Sequence, residues 1–214
     1  MDLIRSWLEA SFLALSSGFA RIVWNLFLAY IPLFLSVWLF RWSSKRSPVW
    51  WVILAIFIAF LPNAPYILTD IIHYIRSIRA GFSTSVIMFA LTPQYLIFLI
   101  GGFQAYVMSL LNLEFYLTKL GQEKFIFPVQ ILIHFLSAIG IYLGRFLRFN
   151  SWDFVAQPDE LAETLARDLS HKQPVLAITI TFIILLGLYW ITKQINLGLI
   201  LRFQQLQKQW NKNY

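Results

Sequence analysis

Residues 49–73 read VWWVILAIFIAFLPNAPYILTDIIH. Everything up to Phe60 is apolar, and then Pro62, Asn63, Pro65, Asp70 and His73 follow in close succession. A hydrocarbon core of ~30 Å takes ~20 apolar residues to cross as a helix. The run therefore reads as the first half of a membrane span, and its second half carries groups that hydrocarbon does not tolerate without partners. That conflict points to a site.

Composition agrees with a membrane span. Of the 214 residues, 59% are hydrophobic and only 13% are charged, against about 25% charged in soluble domains. So much apolar surface cannot be hidden inside a soluble domain of this size. The expected fold is all-α: a polytopic transmembrane helical bundle. The absence of cysteine excludes disulfides, thiolate metal sites and cysteine nucleophiles. A formal charge of +7 would suit nucleic acid if it were clustered. In a membrane protein such charges decorate cytoplasmic loops instead, so the partner is the lipid bilayer and no nucleic acid is expected.

Five spans are legible, with a possible sixth. Residues 1–21 carry Arg5 and Glu9 and suit an interfacial amphipathic helix, or else a weak extra span. The bundle proper is expected over residues 22–192. Its spans run from about Ile22 to Phe40, from Val49 through the opening motif, from Ser85 to Leu111, from Phe127 to Phe149 and from Val175 to Ile191. Residues 193–214 form a basic tail. Lys45, Lys119, Lys124, Lys193, Lys208 and Lys212 then share one side and Lys172 the other. This bias puts the C-terminus in the cytoplasm, in a multi-pass protein of the cell (cytoplasmic or inner) membrane. Arg76, Arg79, Arg145 and Arg148 fall on the opposite, outward side and need another reason to be there. No cleavable signal peptide is expected. The polar segment 150–173 is read as an extracytoplasmic amphipathic loop, with Leu161, Leu165 and Leu169 recurring every fourth residue; it is a solvated connector or a lid.

Within the second span, Pro62 and Pro65 remove donors that the carbonyls of Ile58 and Leu61 would use. Asn63 can supply a local donor, and Pro65 suits the first turn of a second half-helix. Such broken helices line ligand sites in membrane proteins, although a proline kink repaired by its neighbours is the plainer alternative. Tyr66, Thr69, Asp70, His73 and Arg76 then share one helical face. Asp70 and His73, at i and i+3, are the candidate catalytic pair; the spacing would also allow a shared metal, but no metal is assigned and no cofactor is read from the chain.

The fourth span offers a matching face. Gln130, His134, Ser137, Arg145 and Arg148 fall within a ~80° sector on a regular helix. His134 lies ~16 Å deeper than Arg145, as a packing histidine or the floor of a cavity. Arginine forks grip carboxylate or phosphate oxygens in pairs. The candidate binding residues are therefore Asn63, Tyr66, Thr69, Arg145, Arg148, Asn150 and Asp153. Asn25 reads as a helix-packing residue within reach of the same cluster, and Gln94 and Gln104 as interhelical hydrogen bonders.

Through LPNAPYILTDIIH, WNLFLAYIP upstream and GRFLRFNSWD downstream, the chain resembles a bacterial family of integral membrane proteins known as domain of unknown function 1361. The resemblance covers most of residues 22–192 and implies a multi-span protein, with no activity to carry over. The matching positions are Asn63, Pro65, Tyr66, Thr69, Asp70 and His73, then Arg145, Arg148, Asn150, Trp152 and Asp153. No Walker loop, nucleophile elbow, HExxH or dinucleotide fingerprint occurs. Three functions fit: a membrane-embedded enzyme binding an anionic head group or lipid-linked substrate, a small-solute transporter or channel component, and a non-catalytic structural or assembly subunit.

Overall fold

The computed structural model describes residues 2–43, 45–149, 156, 158–169 and 171–213. Seven helices carry the description: α1 (Asp2–Ser16), α2 (Phe19–Trp42), α3 (Pro48–Ile78), α4 (Thr84–Lys119), α5 (Glu123–Leu147), α6 (Pro158–Leu169) and α7 (Lys172–Asn213). Five of them, α2, α3, α4, α5 and α7, are long and apolar enough to cross a membrane. The protein is an all-α, multi-pass membrane protein embedded in a lipid bilayer. Phe89, Ile97, Phe127 and Trp190 turn large apolar surfaces outward, as a bundle solvated by lipid does.

Local sequence explains where the helices begin and bend. Ser47 caps α3, its Oγ accepting from Trp50 N–H at 3.3 Å, and Pro48 occupies the first turn, where a missing N–H costs nothing. Ser83 caps α4 by accepting from Val86 N–H. The turns after α3 and α4 place Gly81 and Gly121 at positive φ, where a Cβ would be strained. Near the start of α4, Pro93 lacks the donor that Phe89 would use. The helix widens there into a π turn (Ile87–Leu91), and Thr92 Oγ1 closes it by donating to Ile87 O at 2.8 Å.

The central helix is α4, which touches each of the other four spans. Tyr106, Phe98, Val107 and Leu110 on it are fully buried. At the Lys119 end, Arg41 Nε donates to Asn112 Oδ1 at 2.8 Å and Asn112 Nδ2 to Ser36 Oγ at 3.0 Å. Nearby, Glu114 pairs with Lys193 and accepts from Gln130 Nε2, which also donates to Tyr189 OH. Gln104 and Asn196 exchange amide hydrogen bonds between α4 and α7. Polar groups in an apolar span are thus met by side chains on neighbouring spans. At the other end, α1 lays Ala14 against Val86, Ala90 and Leu91, and Leu15 O accepts from Gln94 Nε2 at 3.1 Å.

Two close approaches need glycine. A Cβ on Gly102 would press into the Ile67 side chain, and one on Gly140 would come within 2.7 Å of Pro62 Cβ. Gly187 faces open space. Gly102→Ala and Gly140→Ala are expected to destabilise the detergent-solubilised protein by about 1–3 kcal/mol through overpacking. Gly187→Ala should be neutral or better, and thermal unfolding of the three variants side by side checks the contrast.

Candidate functional site

The prolines of α3 produce a tightened stretch of helix that stays coiled throughout. Regular α-helix runs to Phe60, passes through a turn at Leu61 and Pro62, continues over Asn63–Tyr66, narrows to a 3-10 turn over Ile67–Asp70 and relaxes into Ile71–Ile78. Leu61 O accepts from Ala64 N at 3.2 Å and Pro62 O from Tyr66 N at 3.0 Å. Asn63 does supply a local donor, but to Phe60 O at 3.0 Å instead of Ile58 or Leu61. Thr69 Oγ1 donates to Tyr66 O at 2.8 Å.

The 3-10 turn carries Asp70 inward. It is 1% exposed. Asn25 Nδ2 on α2 donates to its Oδ2 at 2.6 Å. Arg145 Nη1 on α5 lies 3.7 Å from Oδ1, and His73 Nε2 lies 3.8 Å from the same oxygen. Those two separations give attraction without a direct hydrogen bond. Arg145 is fixed instead by donating Nη2 to Thr69 O at 3.2 Å. One carboxylate thereby ties three spans together.

The face of α5 is shaped by two features. Gly140 and Gly144, a small-xxx-small pair, let Pro62 and Tyr66 pack directly on the backbone; a Cβ on Gly144 would stand 3.2 Å from Tyr66 Cε2. The helix then widens into a π turn over Leu143–Leu147 and ends at Arg148, with φ 62 and ψ 24. Phe149 N closes the end on Leu143 O at 3.2 Å. A left-handed arginine costs about 1–2 kcal/mol relative to the ordinary helical conformation. Its guanidinium makes no hydrogen bond or ion pair with the described residues.

Between α2, α3 and α5 lies a partly enclosed cavity of about 250 Å³. Asn25, Asn63, Tyr66 and Arg148 line one part, and Leu28, Ala59, Phe60 and Leu143 another. Of the sequence-expected residues, Asn63, Tyr66 and Arg148 face the cavity. Asp70, Thr69, His73 and Arg145 stand as a second layer. Asn150 and Asp153, with Trp152, lie outside the described residues, as does most of the segment before α6.

The common face expected on α5 divides in two. Gln130, His134 and Ser137 turn toward α4 and α7, where Tyr106 OH sits 2.7 Å from His134 Nδ1 and the Tyr189 ring packs on the imidazole at 4.8 Å. Arg145 turns toward α3. The π turn explains the split, because a wheel drawn at 100° per residue loses phase where a residue is inserted. His134 is a packing histidine, not the cavity floor, and its Nε2 has no partner among the described residues. Arg21 escaped the sequence reading altogether. It donates to Tyr95 OH at 2.9 Å and, with Arg76, adds positive charge near His73. The pair of glycines four residues apart in GIYLG was the available signal for the α3–α5 contact.

Among the described residues no three His, Asp or Glu side chains gather as a metal-ligand set. The family described as "Protein of unknown function (DUF1361)" matches residues 24–186, and the chain belongs to that family. No curated protein and no solved structure matches the chain.

The strain at Arg148 separates a structural arginine from a ligand-binding one. Arg148→Gly should unfold at the same temperature as the natural protein or higher, because glycine enters the left-handed region freely. A fall in melting temperature comparable to loss of a buried contact would show that the guanidinium holds the fold.

Proposed function

For this member of a family of unknown function, we propose a membrane-embedded enzyme that binds an anionic head group or lipid-linked substrate in the cavity between α2, α3 and α5. The observation that carries the reading is Arg148, a cation kept in a strained conformation on the cavity wall. Strain of that kind persists where the surrounding fold imposes it, and it concentrates at functional positions. The described charges around the cavity are positive in balance: Arg148 lines it, and behind it Asp70 stands among Arg145, Arg21 and Arg76. An anion completes that balance.

In this reading Arg148 grips the anion, and Asn63 and Tyr66 line its seat. Asp70 holds Asn25 and Arg145 in place and orients His73. His73, partly exposed behind that lining, acts as general base through a bridging water. The lysine bias turns the cavity toward the outer leaflet and leaves the C-terminus in the cytoplasm. A second reading, a structural subunit, draws on Asp70 alone, since a buried carboxylate hydrogen-bonded across helices is also how spans are stapled.

Inorganic phosphate added to the detergent-solubilised protein separates the two, since a ligand of the native state raises the melting temperature by mass action. Phosphate should stabilise the natural protein. Arg148→Gln should abolish the response and Asp70→Asn weaken it, both variants remaining folded. If phosphate has no effect, and both variants lose about 3 kcal/mol or more of stability, the charges only pin helices.

A further inference from the structure

The cavity has a direction as well as a charge. Along α3, Ala59 and Phe60 come before Asn63 and Tyr66; along α5, Gly140 and Leu143 come before Arg148; along α2, Leu28 lies one turn deeper than Asn25. All three walls are therefore apolar near the middle of the bundle and bring in polar groups near the ends of the spans, where Trp24 and Phe149 also line the cavity. An entirely hydrophilic solute would leave the deeper half of such a cavity poorly solvated. An amphiphile fits both halves.

The cavity also has a side. Its floor is α3, which packs against α2 and against α5. Helices α2 and α5 form its two walls, with little contact between the described residues of one and those of the other. At the rim, Trp24 lines the cavity and is still 54% exposed. In a bilayer-embedded bundle that exposed face of Trp24 meets lipid, which gives the cavity a route sideways between α2 and α5 into the hydrocarbon.

Resting on the anion-binding reading above, we infer that the ligand is a phosphate-bearing lipid that enters between α2 and α5, with its phosphate at Arg148 and its chain leaving past Leu28 and Ala59. The guanidinium fork matches phosphate oxygens. Each methylene kept against an apolar wall adds to the affinity, so the lipid should bind more tightly than the bare ion.

The experiment compares three probes on delipidated protein in detergent, by native mass spectrometry and thermal shift: dioleoyl phosphatidic acid, dioleoyl phosphatidylcholine and inorganic phosphate. Phosphatidic acid should bind at least about tenfold more tightly than either of the others. Leu28→Trp and Ala59→Leu, two independent ways to fill the apolar half, should weaken phosphatidic acid about fivefold or more and leave inorganic phosphate unchanged. Arg148→Gln should weaken both. A diazirine-tailed phosphatidic acid, photolysed on the natural protein, should label α2 and α5, which tests the route without any substitution. Phosphatidic acid no tighter than inorganic phosphate, or labelling elsewhere, overturns the lipid inference and leaves the anion site standing. If none of the probes binds, both readings fall.

Discussion

Hydrocarbon offers no hydrogen bonds, so every backbone group that a proline orphans has to be met from within the protein. The arrangement around Asp70 follows from that constraint. Pro62 and Pro65 deny donors to the turn before them. The chain responds by tightening: Ala64 reaches back to Leu61 O, Asn63 to Phe60 O and Thr69 to Tyr66 O. The tightened winding rotates Asp70 away from the surface and into the bundle. A buried carboxylate would cost several kcal/mol if left alone, and Asn25 and Arg145 stand where that cost is met. Thr69 takes part twice, its hydroxyl repairing the helix and its carbonyl holding Arg145.

The same constraint propagates into α5. The proline-bearing part of α3 approaches so closely that a Cβ opposite Pro62 would clash and one opposite Tyr66 would be tight, and α5 provides Gly140 and Gly144 there. Immediately beyond, α5 widens by a π turn and ends on a left-handed arginine. A regular continuation would have carried Arg145 and Arg148 around the helix with a constant phase. The widened turn divides them, sending Arg145 to the carboxylate and Arg148 to the cavity wall. One arginine is consumed in holding the fold together. The other is not.

Much of this was legible in the sequence. The five spans announced themselves by hydropathy, and the polar half of the second span pointed to the cluster around Asp70 because hydrocarbon makes such residues costly. Asp70, His73 and Arg145 were rightly placed near one another by helical spacing on two faces. What spacing could not supply was phase. The 3-10 turn at Ile67–Asp70 and the π turn at Leu143–Leu147 each depart from 100° per residue, so residues assigned to one face divided between two. Arg21 and Asn25 reach the site from a third span, and a single sequence gives no register between helices. The family match confirms membership and adds no chemistry of its own.

The polar clusters elsewhere in the bundle differ from the groups around the cavity in how their charges are met. At the opposite end, Glu114 meets Lys193 and Gln130, Asn112 meets Arg41 and Ser36, and Asn196 meets Gln104. Each of those sets matches donors to acceptors and leaves its charges offset or exposed. Around the cavity the bookkeeping differs: the described groups supply more guanidinium than carboxylate, and one guanidinium adopts a conformation that an arginine pays to enter. If holding helices together were all that was required, a glycine at position 148 would end α5 at lower cost. The excess positive charge and the strain coincide on one residue, beside a cavity with an apolar inner part and polar groups nearer its mouth, and those three features together support the proposed anion on an apolar tail.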